Sequence, residues 1–492
     1  MKKKILAWID ADLSHFGILK SLEEKTQFTL SFIYDITNTP KTFFKSQKII
    51  PLENSWFLYD NLNYNSEKID MEYLESFEKK YSINLWTLLN NDRYLNNFND
   101  FYQFSTHQIL SITEQQIKFY EKILDEYNPD YVVMANPPLN ANYLFSIICR
   151  SRNIPTLILT PSRFLNKYYI DDGNMKLDLT QTKNSDDGID LKSYHQKFNK
   201  TFETKNFLKK FQSSKISLLK AFFIYMFSDN NNLKTHYTYF GRNKINVLLN
   251  FLTNSWKSKN RKNFIDKNLK MNVVLDQKYI YFPLHMEPER TLLIDAPFHT
   301  NQLDIIKNLA KSVPINYKLF VKEHPSMAHR EWRDVSFYKE ILSLPNVVLI
   351  HPSFPSDDLI KQSSLVIAIT GTASFDAIFY DIPSITLTKT DFSLLDYVTY
   401  CDSWEKLPDL IKKSLMQKID KKMLYPYLHF VEQHCFDFEM YPFLQEHQDF
   451  LHYGGFLVNT KIIEKDFRLF LESKKIQYDF LAQKYIEKII LD

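Results

Sequence analysis

With 492 residues, 44% of them apolar and 24% charged, the chain has room for two domains plus additions and the balance of a folded, water-facing protein. A formal charge of +3 makes no case for nucleic acid, and no run of 18 apolar residues exists to span a bilayer. Three widely spaced cysteines, Cys149, Cys401 and Cys435, give neither a disulfide framework nor a zinc pattern, so a reducing cytoplasm is expected.

The basic start, Met1 to Lys4, is followed by an apolar run (Ile5 to Ile9) that meets Asp10 too soon to be an export core. It reads as a first β-strand. Ser14–Glu24 then has helical spacing with Gly17 inside it or just before it, and Phe28–Tyr34 is strand-like. A helical stretch rich in Tyr and Phe runs from about 67 to 127. Asp130–Met134 is an apolar run ending at Asn136-Pro137-Pro138, Asn140–Arg152 has helical spacing, and Ile154–Leu159 is another strand. This alternation predicts a parallel sheet with right-handed crossovers.

Residues 200–270 differ in character. They hold 15 Lys or Arg against Glu203, Asp229 and Asp266, a net +12 interleaved with Phe, Tyr and Trp256, which leaves the rest of the chain net negative. Two accounts fit: a solvated helical insert, or a surface for anionic lipid head groups or a pyrophosphate-linked acceptor.

From Lys278 the rhythm returns. Strands are expected at Tyr279–Pro283, Tyr317–Lys322, Val347–Ile350, Leu365–Ile369 and Ser384–Leu387. Helices are expected at Asn301–Lys311, from Asp357 to Gln362, and at Ala373–Tyr380. This is a second doubly wound α/β unit, followed after about Leu415 by a helical, aromatic tail. The expected division is 1–172 as an acceptor domain, 173–275 as a basic, aromatic helical insert or linker, 276–415 as a nucleotide-sugar domain, and 416–492 as a tail packing back on the first.

Ligands of open parallel sheets bind beyond the carboxyl ends of the strands. That rule selects Pro283 to Glu289 with His285 and Glu289, then Lys322-Glu323-His324-Pro325, then His351 to Asp358, then Thr370-Gly371-Thr372-Ala373-Ser374. The last is a small-residue turn entering a helix, with free N–H groups and hydroxyls suited to phosphate. It contains one of only seven glycines. An ordinary strand-to-helix turn with Thr372 as N-cap accounts for it equally well. His324, held rigid by Pro325 and beside Lys322, is a candidate ligand.

Three strings, Tyr279-Ile-Tyr-Phe-Pro-Leu-His-Met-Glu-Pro-Glu289, Val321-Lys-Glu-His-Pro-Ser326 and Ile369-Thr-Gly-Thr-Ala-Ser-Phe375, resemble those of the capsular-polysaccharide biosynthesis glycosyltransferases. That group is similar in its His-Pro motif to bacterial Kdo transferases and to sialyltransferases that use CMP-sugars. The resemblance covers about 279–390 and extends weakly to about 130–172. It implies a GT-B fold, two Rossmann-like domains facing a cleft, with the donor nucleotide held mainly by the C-terminal half. His324 would contact the donor phosphate with Lys322 nearby, while Thr370, Gly371, Thr372 and Ser374 would line the phosphate or nucleoside. Asp376 stands where such enzymes often place a ribose-binding Glu, one methylene longer.

An acceptor hydroxyl needs a base, which a carboxylate can supply. Asp171 and Asp172, followed by Gly173, are similar to the acid-acid-Gly motif of polysialyltransferase-like enzymes; an Asp-Gly turn is the plainer account. Asp10 and Asp12 compete for the role. Asp10-Ala11-Asp12 also spells a metal-binding Asp-x-Asp, but it follows the first strand, and Asp12 capping the next helix explains it without metal. The reading is therefore a metal-independent glycosyltransferase, cytoplasmic or at the inner face of the plasma membrane. Its donor is a nucleotide sugar, CMP-Kdo or a related CMP-ulosonate first, and its acceptor a surface polysaccharide or lipid-linked glycan. It has no cofactor and no nucleic-acid partner. A UDP-GlcNAc 2-epimerase-like enzyme and a non-catalytic capsule assembly protein are the alternatives.

Overall fold

The computed structural model describes residues 2–64, 68–97, 99–137, 140–164, 166–173, 194, 215–228, 236–329 and 333–491. Much of the expected insert, including 174–193, 195–214 and 229–235, lies outside the described residues. The contacts gather into two units. The first comprises Met1–Met175, Glu203–Val247 and Phe436–Asp492, and the second Lys176–Phe202 and Leu248–Cys435. Residues 416–435 thus group with the second unit, and the segment that joins the first begins at 436 rather than 416.

The first unit is built on seven strands: β1 (Lys4–Ile9), β2 (Thr29–Tyr34), β3 (Asn54–Phe57), β4 (Tyr131–Ala135), β5 (Thr156–Pro161), β6 (Lys167–Asp171) and β13 (Phe436–Asp437). Their order is β13-β6-β5-β4-β1-β2-β3, with β1 to β5 parallel and β6 and β13 joined antiparallel at one edge. β1 shows why an unbroken apolar run was needed. Ile5, Ala7 and Ile9 enter one core with Phe16, Leu19 and Tyr485, while Leu6 and Trp8 enter another with Tyr120 and Phe145. Successive side chains point to opposite faces, and both faces are covered. Each fully buried Leu or Ile contributes about 1.5–3 kcal/mol.

One cover is helix Thr106–Tyr127, opened by a reciprocal cap: the Ser105 hydroxyl accepts from Gln108 N–H at 3.2 Å, and Gln108 accepts from Ser105 N–H at 3.0 Å. The other is formed by helices Ser14–Lys25 and Lys475–Leu491. Tyr478, Leu481, Ala482, Tyr485 and Ile489 of the latter recur at helical spacing, and all are buried. The two helices approach so closely that a Cβ on Gly17 would lie 2.2 Å from the Tyr478 ring. This closeness explains Gly17.

The second unit carries β7 (Tyr279–Pro283), β8 (Lys318–Lys322), β9 (Val347–Ile350), β10 (Leu365–Ala368), β11 (Ser384–Thr386) and β12 (Val398–Tyr400), all parallel, in the order β12-β11-β10-β7-β8-β9. Counted within the unit, that is the 3-2-1-4-5-6 order of a dinucleotide-type sheet. Strands 3-2-1-4-5 of the first unit follow the same order. The fold class is the one expected, α/β with two Rossmann-like, doubly wound units. Among the described residues no helix is long and apolar enough to cross a membrane.

Candidate functional site

In the second unit the chain leaves β7 towards β8 and β9 on one side, and later returns to β10 on the other side of β7. The loops after β7 and β10 therefore diverge at the sheet's topological switch point, where open α/β sheets leave a crevice. Three sequence-selected strings fall at this end: Leu284 to Glu289 after β7, Glu323-His324-Pro325 after β8, and Ile369 to Thr372 after β10.

His285 joins two of these loops. Its ring is buried, and its Nε2 accepts the backbone N–H of Thr370 at 3.4 Å. Gly371 packs against the same ring: a Cβ there would come within 3.2 Å of Cε1. Burial, with His324 and Arg333 nearby, pushes the His285 pKa down to about 3, so the ring stays neutral. With Nε2 accepting, the proton belongs on Nδ1. Thr370 is itself buried, and its hydroxyl has no hydrogen-bond partner among the described residues. Ser374 turns its hydroxyl back to Gly371 O at 2.8 Å. The helix that follows is short, Thr372–Asp376, and continues as a 3-10 turn, Ala377–Tyr380. Its N-cap is Gly371, not Thr372, which is exposed in the first turn.

The loops after β7 and β8 are tied by a buried ionic network. The Arg333 Nη1 lies 2.6 and 2.7 Å from the two Glu323 oxygens, and its Nη2 lies 3.2 Å from Glu287 and donates to His285 O. Tyr338 donates to Glu323 at 2.7 Å, and His324 N–H donates to the same carboxylate at 2.7 Å. Gln302 bridges both ends of the β7 loop, donating to Glu287 and accepting from His285 N–H at 2.8 Å. Both oxygens of the buried Glu323 are paired, which offsets the cost of burying its charge.

His324 is half-buried, with Nδ1 accepting from Ser326 N–H at 3.2 Å, which leaves Nε2 to carry the proton in the neutral ring. Lys322, two residues before His324, ends β8. It is almost wholly buried and donates to Ser356 at 2.9 Å, and burial, opposed by Glu323, lowers its pKa to about 8. Glu289 is half-buried at the N-cap of helix Arg290–Leu293, Pro325 opens a 3-10 turn, and Asp376 is buried. His351 belongs to a separate pair, its Nε2 lying 3.1 Å from Asp266.

The carboxylates expected as base all lie in the first unit. Asp171 accepts Gly173 N–H at 2.8 Å and lies 3.7 Å from Arg150; Gly173, at φ +86°, supplies the left-handed turn. Asp172 pairs with Lys488 at 2.8 Å. Asp12 accepts Ser14 N–H at 2.7 Å at the entry to its helix. Burial alone would raise Asp12, yet Ser14, His15 and His447 hold it below its usual range. Asp10 moves the other way, raised well above the carboxylate range by burial and by Asp12 and Asp35. Asp35, at the end of β2, is raised by burial to about 6 against the hydrogen bond from Tyr59. Two adjacent acids thus hold their protons differently. Among the described residues no group of three or more His, Cys, Asp or Glu side chains could hold a metal.

Sequence reasoning named His285, His324, Thr370 and Gly371, which converge here, but missed Arg333, Tyr338 and Gln302. Glu323 lay inside a quoted string without a role. An acid buried beside two strand-end histidines calls for a cation, and Arg333 is ten residues on; that was the available signal.

Residues 203–400 match the family model described as capsule polysaccharide biosynthesis protein. No curated protein matches the chain. Similar solved structures include the UDP-GlcNAc 2-epimerase of Methanocaldococcus jannaschii, at 14% identity over 88% of this chain and 100% of that one, TM-score 0.24. The UDP-GlcNAc-bound 2-epimerase of Neisseria meningitidis shares 13% identity over 87% and 99%, TM-score 0.28. The β-Kdo 2,7-transferase KpsC of Thermosulfurimonas dismutans shares 11% over 73% and 87%, TM-score 0.30. Residues 203–400, which include all six strands of the second sheet, are similar to the capsule polysaccharide biosynthesis family.

Proposed function

We propose that the protein is a metal-independent glycosyltransferase that moves a sugar from a nucleotide-activated donor to a growing surface polysaccharide or lipid-linked glycan. CMP-Kdo or a related CMP-ulosonate is the first donor to test. The observation that carries the reading is the turn at the sheet's switch point, where a neutral, buried His285 braces Thr370-Gly371 and the buried Thr370 hydroxyl has no partner among the described residues. Backbone N–H groups of this turn, the Thr370 hydroxyl and the Nε2–H of His324 would hold the donor phosphate and stabilise the negative charge that grows as the glycosidic bond breaks. His285, and through it Arg333, would position the turn rather than touch the donor.

The acceptor proton goes to a carboxylate of the first unit. Asp171 and Asp172 are each engaged by a cation, and Asp12 is spent on its helix entry. Asp10 is left as the favoured base, its pKa raised by burial and by the neighbouring Asp12 and Asp35. The acceptor side of the reading includes contact with an anionic membrane through the basic stretch 200–270.

A panel of CMP-, UDP- and GDP-sugars, incubated with and without acceptor glycan, tests the reaction. Transfer requires acceptor, epimerisation does not, and an assembly protein turns over nothing. Transfer should survive excess EDTA. In calorimetry with CMP, His324→Ala should weaken nucleotide binding while circular dichroism stays unchanged; unchanged affinity and turnover would remove His324 from the site.

A further inference from the structure

The described part of the basic stretch contains two helices whose outward faces are apolar. On helix Lys215–Phe227 the exposed residues Ile216, Leu219, Phe223 and Phe227 follow i, i+3, i+7, i+11 spacing, and Phe227 is 86% exposed. On helix Lys244–Asn268, Ile245, Leu248, Leu249, Leu252 and Trp256 do the same, with Trp256 67% exposed. Each set is one stripe of an α-helix. The opposite side of the longer helix is mixed, with Asn250, Asn254 and Lys257 beside Val247 and an exposed Phe251. Its last turns are rooted: Arg261 and Ile265 are buried, and Arg261 lies 3.8 Å from Asp334. Lys244 fastens the end of the shorter helix, donating to the carbonyls of Met226 and Ser228 at 2.6 and 2.8 Å.

Exposed Leu, Phe and Trp on this scale cost free energy unless something covers them. Charge says what. Residues 215–268 contain ten Lys or Arg against two acids, Asp229 and Asp266. A second copy would bring like charge onto like charge, which disfavours self-association. An anionic bilayer satisfies both features, apolar side chains entering the acyl boundary and lysines reaching phosphates. Lys220 and Lys259 stand at the edges of the stripes, where that reach is needed. The shorter helix, 13 residues or about 20 Å long, is too short to span a hydrocarbon core of about 30 Å and would lie in the interface plane.

We infer that the stripes Ile216–Phe227 and Ile245–Trp256 insert into the head-group boundary of an anionic membrane, so that attachment is apolar as well as electrostatic. This goes beyond the basic-patch reading, in which lysines alone hold the protein, and does not depend on the donor-site assignment.

The test is flotation of the full chain with vesicles of phosphatidylcholine and phosphatidylglycerol in equal parts, and with phosphatidylcholine alone. The wild type should float with the anionic vesicles and lose only part of that binding at high salt. Combined Leu249→Ser, Leu252→Ser and Trp256→Ser should lower retention by about tenfold or more, with circular dichroism and CMP affinity unchanged. Tryptophan emission should shift to the blue on vesicle addition, and Trp256→Phe should remove that shift. No flotation with anionic vesicles at low salt would overturn the inference, as would equal retention of variant and wild type. Concentration-dependent dimerisation lost in the same variant, without vesicle binding, would assign the stripes to a second copy instead.

Discussion

The Nε2 atom of His285 accepts the backbone N–H of Thr370 at 3.4 Å, which fastens the loop after the central strand of the second sheet to the turn after its neighbour. The histidine is a brace between two strand ends. Gly371 completes the joint, since a Cβ there would stand 3.2–3.3 Å from the ring, tighter than an ordinary contact.

Gly371 sits at φ −70°, an angle any residue adopts, so alanine there carries no backbone strain. Its methyl would meet the His285 ring at 3.2–3.3 Å and force the ring or the turn to move by a few tenths of an ångström. Gly371→Ala should therefore weaken nucleotide affinity by about tenfold, in keeping with the 1–3 kcal/mol cost of overpacking, while the melting temperature falls by only a few degrees. Calorimetry beside thermal unfolding separates the two effects.

Arg333 is the cation shared by Glu323 and Glu287. Arg333→Met keeps much of the volume but leaves two acids without it, one of them fully buried. Removing one partner of a buried pair costs about 3–5 kcal/mol. An unfolding free energy in urea lowered by that amount is expected, seen as a lower midpoint, together with loss of nucleotide binding. A midpoint within error of the wild type would show that the network is not holding these loops.

His285 also makes a pH-dependent contribution. Its folded pKa of about 3 lies below the ordinary histidine value of 6.5, so between these pH values the unfolded chain binds the proton and the folded one does not. The stabilisation is present above about 6.5 and is lost as pH falls towards 3, at up to about 1.4 kcal/mol per pH unit. Asp35 opposes it: its folded pKa is raised to about 6, so its contribution is present below the ordinary carboxylate value and lost as pH rises through 6. The comparison that isolates the histidine is wild type against His285→Gln. The stability difference between them should shrink as pH drops from 6.5 to 4, and a difference constant over that range would refute the buried neutral ring.

The parallel cores were legible because β1, β4, β7, β8 and β10 are unbroken apolar runs, which is what a strand covered on both faces requires. The edges were not. β3 is Asn-Ser-Trp-Phe, half solvent-facing, and β12 and β13 have three and two residues, too short for any period to show. β6 pairs antiparallel to β5, and its run 167–171 carries a partly exposed alternation that reads equally well as loop. At the site, the strand-end positions of His285, His324 and Thr370 were readable from the sheet rule. That His285 turns inward to brace a turn, and that Lys322 is buried against Ser356, depend on contacts between segments 34 to 85 residues apart, which no local pattern encodes.

The closing of Gly17 on Tyr478 has a temporal side. On a ribosome, β1 emerges before the second unit, but the helix that seals its face is made only after it. The second unit, apart from its segment 176–202, is continuous and can consolidate while the first sheet still has one apolar face open to water. For that interval Phe16, Leu19 and Leu22 are a surface on which chaperones and aggregation compete.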